Sequence, residues 1–185
     1  SKGEDYFFYL GALHPRKNII RLLQAFDLFK KQTGSSMKLL VGGRLAWQSG
    51  SIKVAYENAS SRADIHFLGY VSDEDLPRLT GAALALTYVS LFEGFGVPII
   101  EAMQAGVPVM TSNVSSMPEV AGDAALLVDP IDEQQIAQGM QHLMADQQLR
   151  QTLIAKGTQR AAQFSWENTT DIIEEAINAA VRGND

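Results

Sequence analysis

The chain has 185 residues, 46% hydrophobic and 19% charged, which suits one domain with its own core and is too apolar for disorder. Fifteen Lys and Arg stand against 21 Asp and Glu, for a net charge of −6. That balance argues against nucleic acid held on a broad basic face, though a few well-placed cations still suffice for a small anion; with no cysteine, disulfides and thiolate metal sites are excluded.

Tyr6 to Leu10 is an aromatic run closed by Gly11, as in a strand buried on both faces. From Asn18 to Thr33 the residues Ile19, Leu22, Leu23, Phe26 and Phe29 recur at helical spacing, with Asn18 placed to cap the start and Gly34 to stop the end. Met37 to Val41 is the next strand, ending at Gly42-Gly43, and a less regular stretch at about 50–61 reads as a helix. Ile65 to Leu68 is a strand, and Ser72 with Asp75 gives a capping-box-like start to a short helix. Ala83 to Val89 is a strand, Pro98 to Gln104 a helix and Val107 to Thr111 a strand; Ala124 to Val128 is one more, stopped by Asp129-Pro130.

This alternation, with short glycine-rich joints, predicts an α/β fold: a Rossmann-like parallel sheet flanked by helices and joined by right-handed crossovers. Residues 132–145, 147–163 and 166–181 read as helices with no strand between them. The last carries Trp166, Ile172, Ile173, Ile177 and Val181, a stripe expected to lie in the core or in a seam against another domain. Residues 1–185 are expected to form a single domain, about 1–145 as the alternating core and about 146–185 as additional C-terminal helices. No apolar run reaches the roughly 18 residues of a membrane span, and Ser1-Lys2-Gly3-Glu4-Asp5 has no leader pattern. A start without methionine, directly before a strand, reads as a fragment cut at a domain boundary.

In an open parallel sheet, ligands bind beyond the carboxyl ends of the strands. After the first strand comes Gly11-Ala12-Leu13-His14-Pro15-Arg16-Lys17-Asn18. Two cations at a helix start suit an anion, because free backbone N–H groups and the helix dipole add to their charge; they equally suit a solvated loop. After Val89 comes Ser90-Leu-Phe-Glu93-Gly94-Phe95-Gly96-Val97-Pro98, leading into a helix that holds Glu101. Glu93 in the loop and Glu101 one turn into the helix can face one cleft and accept from a vicinal diol. The alternative is a turn residue and a dipole-complementing acid, but two glycines that admit a close ligand and a proline in the first turn favour a site. Ser112, Ser115 and Ser116, beyond the next strand, can serve phosphate or sugar, or simply caps and turns. Asp73-Glu74-Asp75 reads as helix capping rather than a metal site. His14, His66 and His142 have no partner at hydrolase-like spacing, and no G-x-G-x-x-G follows the first strand, which disfavours a dinucleotide oxidoreductase.

The Glu93…Glu101 pair resembles the Glu-x7-Glu signature of retaining GT-B glycosyltransferases, the group called glycosyltransferase family 4. The likeness extends through Gly11-Ala-Leu-His-Pro-Arg-Lys-Asn18, Phe67-Leu-Gly-Tyr-Val71, Glu101-Ala-Met-Gln-Ala-Gly-Val-Pro-Val109 and Pro118-Glu-Val-Ala-Gly-Asp-Ala-Ala-Leu-Leu-Val-Asp-Pro130. It implies the C-terminal, donor-binding half of a GT-B hexosyltransferase, with the N-terminal acceptor domain absent from this chain and the fragment inactive alone. It further implies a GDP- or UDP-sugar donor, mannose as the hexose, and a glycan or lipid-linked acceptor in polysaccharide biosynthesis. No essential metal and no nucleic acid are implied, and the location is cytoplasmic, peripheral at the inner membrane face. By the same likeness Lys17, with Arg16 beside it, binds the diphosphate, and Glu101 holds the ribose hydroxyls. Glu93 is the catalytic-site carboxylate, contacting sugar and phosphate with the backbone N–H groups of Gly94, Phe95, Gly96 and Val97, while Tyr70 and Val71 lie against the base. One departure is Ala12, where many members carry Arg as a second diphosphate ligand, so that Arg16 or Arg44 must compensate. Two rivals share these loops: a GT-B nucleotide-sugar 2-epimerase, and a non-catalytic interaction module, for which Ala12 is the only hint.

Overall fold

The computed structural model describes residues 3, 5–44 and 50–182. Residues 45–49 and 183–185 lie outside it, as do Ser1, Lys2 and Glu4. Among the described residues the strands are β1 (Tyr6–Leu10), β2 (Lys38–Gly42), β3 (Ile65–Gly69), β4 (Ala85–Tyr88), β5 (Val109–Ser112) and β6 (Ala125–Val128). The helices are α1 (Ile19–Thr33), α2 (Gly50–Asn58), α3 (Asp75–Gly81), α4 (Val97–Gln104), α5 (Met117–Ala121), α6 (Glu133–Ala145), α7 (Gln147–Ala161) and α8 (Trp166–Arg182).

Strand order is β3-β2-β1-β4-β5-β6, with every pairing parallel. The succession reverses at β1, so right-handed crossovers require the helices on its two sides to cover opposite faces. They do: α1 packs with α6 and α2, whereas α4 packs with α7 and α5. The α/β, Rossmann-like expectation holds.

The local reasons are simple. β1 sits in the middle of the sheet with Phe7, Phe8 and Tyr9 wholly buried, which is why it shows no polar alternation. α1 turns Ile19, Leu22, Leu23, Phe26 and Phe29 onto the sheet, where the Phe29 ring meets Phe7 edge-on at 5.5 Å. At the carboxyl edge the turns after β1 and β2 cross so closely that a Cβ on Gly43 would lie 1.9 Å from the Gly11 carbonyl oxygen, so only glycine fits.

Three expectations need correction. Residues Met117–Ala121, given no element in the sequence reading, form α5, a helix too short for its periodicity to show in sequence. Asn18 does start α1, but its side chain makes no cap; the residue is left-handed at φ 61°, and its amide donates to the Val89 and Pro130 carbonyls at 3.0 and 2.7 Å. Of the two places expected for the α8 stripe, the core is ruled out. Trp166 is 84% exposed, and Ile172, Ile173, Ile177 and Val181 are all more than half exposed.

Candidate active site at the reversal of strand order

The reversal of strand order places the carboxyl ends of β1 and β4 side by side, which is where an open α/β sheet leaves a crevice. β1 delivers a single 3-10 turn, Pro15–Lys17, and β4 delivers the loop that carries Glu93. His14 shapes that turn, its Nδ1 accepting from the Arg16 N–H at 3.3 Å.

Glu93 is 6% exposed and has three side-chain partners. Lys17 Nζ donates to Glu93 Oε1 at 2.5 Å, and the Tyr88 hydroxyl donates to the same oxygen at 2.8 Å. Arg16 donates to Oε2 at 3.0 Å and, from the same nitrogen, to the Phe92 carbonyl at 3.3 Å. Lys17 Nζ also donates to the Tyr88 oxygen at 2.7 Å, so lysine, tyrosine and carboxylate close a triangle. Burial opposes ionisation of Glu93, yet the hydrogen bonds from Lys17 and Tyr88 and the charge of Lys17 outweigh it and hold the carboxyl below its ordinary range. Burial and the adjacent carboxylate push the Tyr88 phenol up, so Tyr88 stays a proton donor. The Tyr9 ring stacks on Tyr88 at 6.2 Å; its buried hydroxyl has no hydrogen-bond partner among the described residues.

The loop after β5 fixes the Glu93 backbone. Ser115 Oγ donates to the Glu93 carbonyl at 2.8 Å, and Ser116 Oγ donates to the carbonyls of Glu93 and Phe95 at 3.0 and 2.8 Å. Ser112 donates to the Ser90 carbonyl at 2.6 Å. These hydroxyls act as braces. From there Gly94, Phe95 and Gly96 lead to the start of α4, where Gly96 takes φ 111°. The Phe95 ring leans edge-on against Phe164 at 5.6 Å.

The expected site residues thus form three groups. Arg16, Lys17 and Glu93 make the cluster just described. Glu101 is separate from it: on the exposed side of α4 it lines one cleft with Leu76, Pro77 and Thr80 and another with Phe164, Ser165 and Trp166. Partial burial pushes its carboxyl up from the ordinary value. Tyr70 and Val71 line a third cleft with Tyr6, Leu68 and Arg78. The Arg44 guanidinium stacks 4.5 Å above the exposed Tyr70 ring, while Arg16 joins Glu93. Sequence reasoning missed Tyr88; the available signal was its place as the last residue of a strand beside β1, at the edge where ligands bind.

Asp73-Glu74-Asp75 behaves as expected of a helix start. Ser72 Oγ accepts from the Asp75 N–H at 3.1 Å and donates to the Asp75 carboxylate at 2.9 Å, while Glu74 and Asp75 also pair with Arg78. Among the described residues, no group of three or more His, Cys, Asp or Glu is arranged to hold a metal ion, and no helix is long and apolar enough to cross a membrane.

A parallel sheet with a cationic turn and an acidic, glycine-flanked loop meeting at its reversal defines a class by its fold: Rossmann-like α/β domains. Residues 1–160 match the family model described as "Glycosyl transferases group 1", and the chain belongs to that family. It is 43% identical over 176 residues to O-antigen chain mannosyltransferase B of Escherichia coli, an alignment that covers 95% of this chain and 45% of that protein. It is 33% identical over 171 residues to the MMP alpha-(1->4)-mannosyltransferase of Mycolicibacterium hassiacum, covering 88% of this chain and 41% of that one. Among solved structures, sucrose-phosphate synthase from Thermosynechococcus elongatus superposes with a TM-score of 0.83 at 27% identity, over 97% of this chain and 47% of that chain. The chain spans less than half the length of each of these three proteins.

Proposed function

We propose that this chain is the donor-binding half of a hexosyltransferase that takes its sugar from a nucleoside diphosphate and retains the anomeric configuration. The observation that carries the reading is the Lys17–Glu93–Arg16 cluster at the carboxyl edge between β1 and β4. Lys17 and Arg16, with the backbone N–H groups that open α4, take the diphosphate. They stabilise the negative charge that grows on it as the bond to the sugar breaks, a task that needs no metal when fixed cations and a helix start are already aimed there. Glu93 holds sugar hydroxyls at the reacting centre, Glu101 holds the ribose, and the Tyr70-Val71 edge takes the base, with Arg44 over Tyr70 as its outer wall. Arg16 then supplies the charge that Ala12 lacks.

The relatives' names favour a mannosyl group, and they favour transfer over epimerisation or a purely structural role; a GDP- or UDP-linked donor and a glycan or lipid-linked acceptor complete the proposal. The exposed stripe of α8 suits packing against an acceptor-binding half. The fragment alone is then inactive, and the full enzyme works in the cytoplasm at the inner membrane face.

Isothermal calorimetry with GDP-mannose and UDP-glucose tests this. One of them binds weakly, and Glu101→Ala weakens it by roughly 10- to 100-fold, the loss of one or two charge-assisted hydrogen bonds to the ribose. Unchanged affinity in Glu101→Ala overturns the ribose assignment.

A further inference from the structure

The cations assigned to the diphosphate are already engaged by a single carboxylate. Lys17 and Arg16 both end on the carboxylate of Glu93, one on each oxygen, and the Lys17 ammonium and Glu93 carboxylate are each about nine-tenths buried. An anion cannot take the full charge of Lys17 while that pair stands. Nor can Glu93 accept fully from sugar hydroxyls while three donors occupy three of its roughly four lone-pair sites.

We propose that Glu93 is a built-in stand-in for the donor's diphosphate: phosphate oxygens displace it from Lys17 and Arg16, and that displacement frees its lone pairs for the sugar. The inference rests on the donor reading above and adds a coupling between its two halves. The surroundings suit an exchange rather than a rupture. Tyr88 Oη touches both Lys17 and Glu93, so it keeps the carboxylate lodged by its own O–H when the ammonium turns away. Ser115 and Ser116 clamp the Glu93 backbone, so the side chain reorients on a fixed loop. Arg16 is half exposed and holds a backbone carbonyl besides Glu93, which lets it swing at little cost. The outcome is selectivity. A bare phosphate must break a buried ion pair and gains nothing from the freed carboxylate, whereas a sugar nucleotide displaces it at one end and satisfies it at the other.

The test compares UDP, GDP and their hexose conjugates on the wild-type chain, Glu93→Gln and Lys17→Met, with folding of each checked by thermal melting. Glu93→Gln is expected to bind the diphosphate lacking sugar more tightly than wild type, by roughly tenfold, the worth of one charge-assisted hydrogen bond regained. It is also expected to lose wild type's preference for the sugar conjugate, while Lys17→Met binds neither. Should Glu93→Gln fail to fold, Glu93→Asp keeps the charge but draws it back from Lys17, and the same gain, smaller, is expected. Equal or weaker diphosphate binding in the Glu93 variants, with binding still lost in Lys17→Met, overturns the exchange and leaves the donor reading standing. No binding of any of these ligands by any form overturns both.

Discussion

Glu93 shows how one side chain can be costly to bury and still be stabilising. Burial alone would raise its pKa; Lys17 and Tyr88 reverse that, so the carboxylate is ionised at neutral pH and the ammonium beside it has a counter-charge. A folded-state pKa below the unfolded value contributes stability that is complete above the unfolded value, near 4.3, and is lost as pH falls through the folded one. Glu93→Gln leaves Lys17 buried without its partner, and a loss of about 2–4 kcal/mol at pH 7 is expected. The gap between the two proteins should then shrink as pH falls below about 4, because protonation makes the wild-type side chain resemble the amide. Urea unfolding of both proteins from pH 7 down to pH 3 checks this, and a gap that stays constant contradicts the ion-pair account.

Asn18 joins three elements at the point where β1 hands over to α1. Its amide ties the ends of β4 and β6 through the carbonyls of Val89 and Pro130, and its oxygen accepts from Arg21 at 3.0 Å. Asparagine suits the place twice over: it tolerates the left-handed backbone, and it is short enough to reach both carbonyls. Asn18→Ala is expected to cost about 2–4 kcal/mol, two buried carbonyls left without a donor plus the strain of alanine at positive φ. Asn18→Gly should recover about 1 kcal/mol of that by removing the strain. Equal unfolding midpoints for wild type and Asn18→Ala would show that the tie carries no load. The start of α1 was legible in the sequence because Asn is a common first residue of helices. The tie was not, since its partners lie 71 and 112 residues away.

At the scale of the whole molecule, the α/β architecture was legible because buried parallel strands such as Tyr6–Leu10 are apolar throughout and amphipathic helices such as α1 repeat at 3.6 residues. What failed was any judgement that depends on what lies opposite a face. The stripe of Trp166, Ile172 and Ile177 has the pattern of a core helix, and pattern alone does not say against what it packs. The candidate site was half legible. The glycine-flanked Glu93 loop and the Arg16-Lys17 turn could be named from spacing, and the fold joins them. Spacing could not show that Glu93 spends its carboxylate on those cations, that Tyr88 completes the triangle, or that Glu101 faces clefts of its own. The central claim is that a nucleoside diphosphate settles across the β1–β4 edge. Titration of the isotope-labelled chain with GDP and with UDP, followed by NMR, reads it directly: amide shifts concentrated at Arg16, Lys17 and Gly94 to Glu101 are predicted for at least one nucleotide, and a chain whose amides there stay unmoved at saturating concentrations of both contradicts the account.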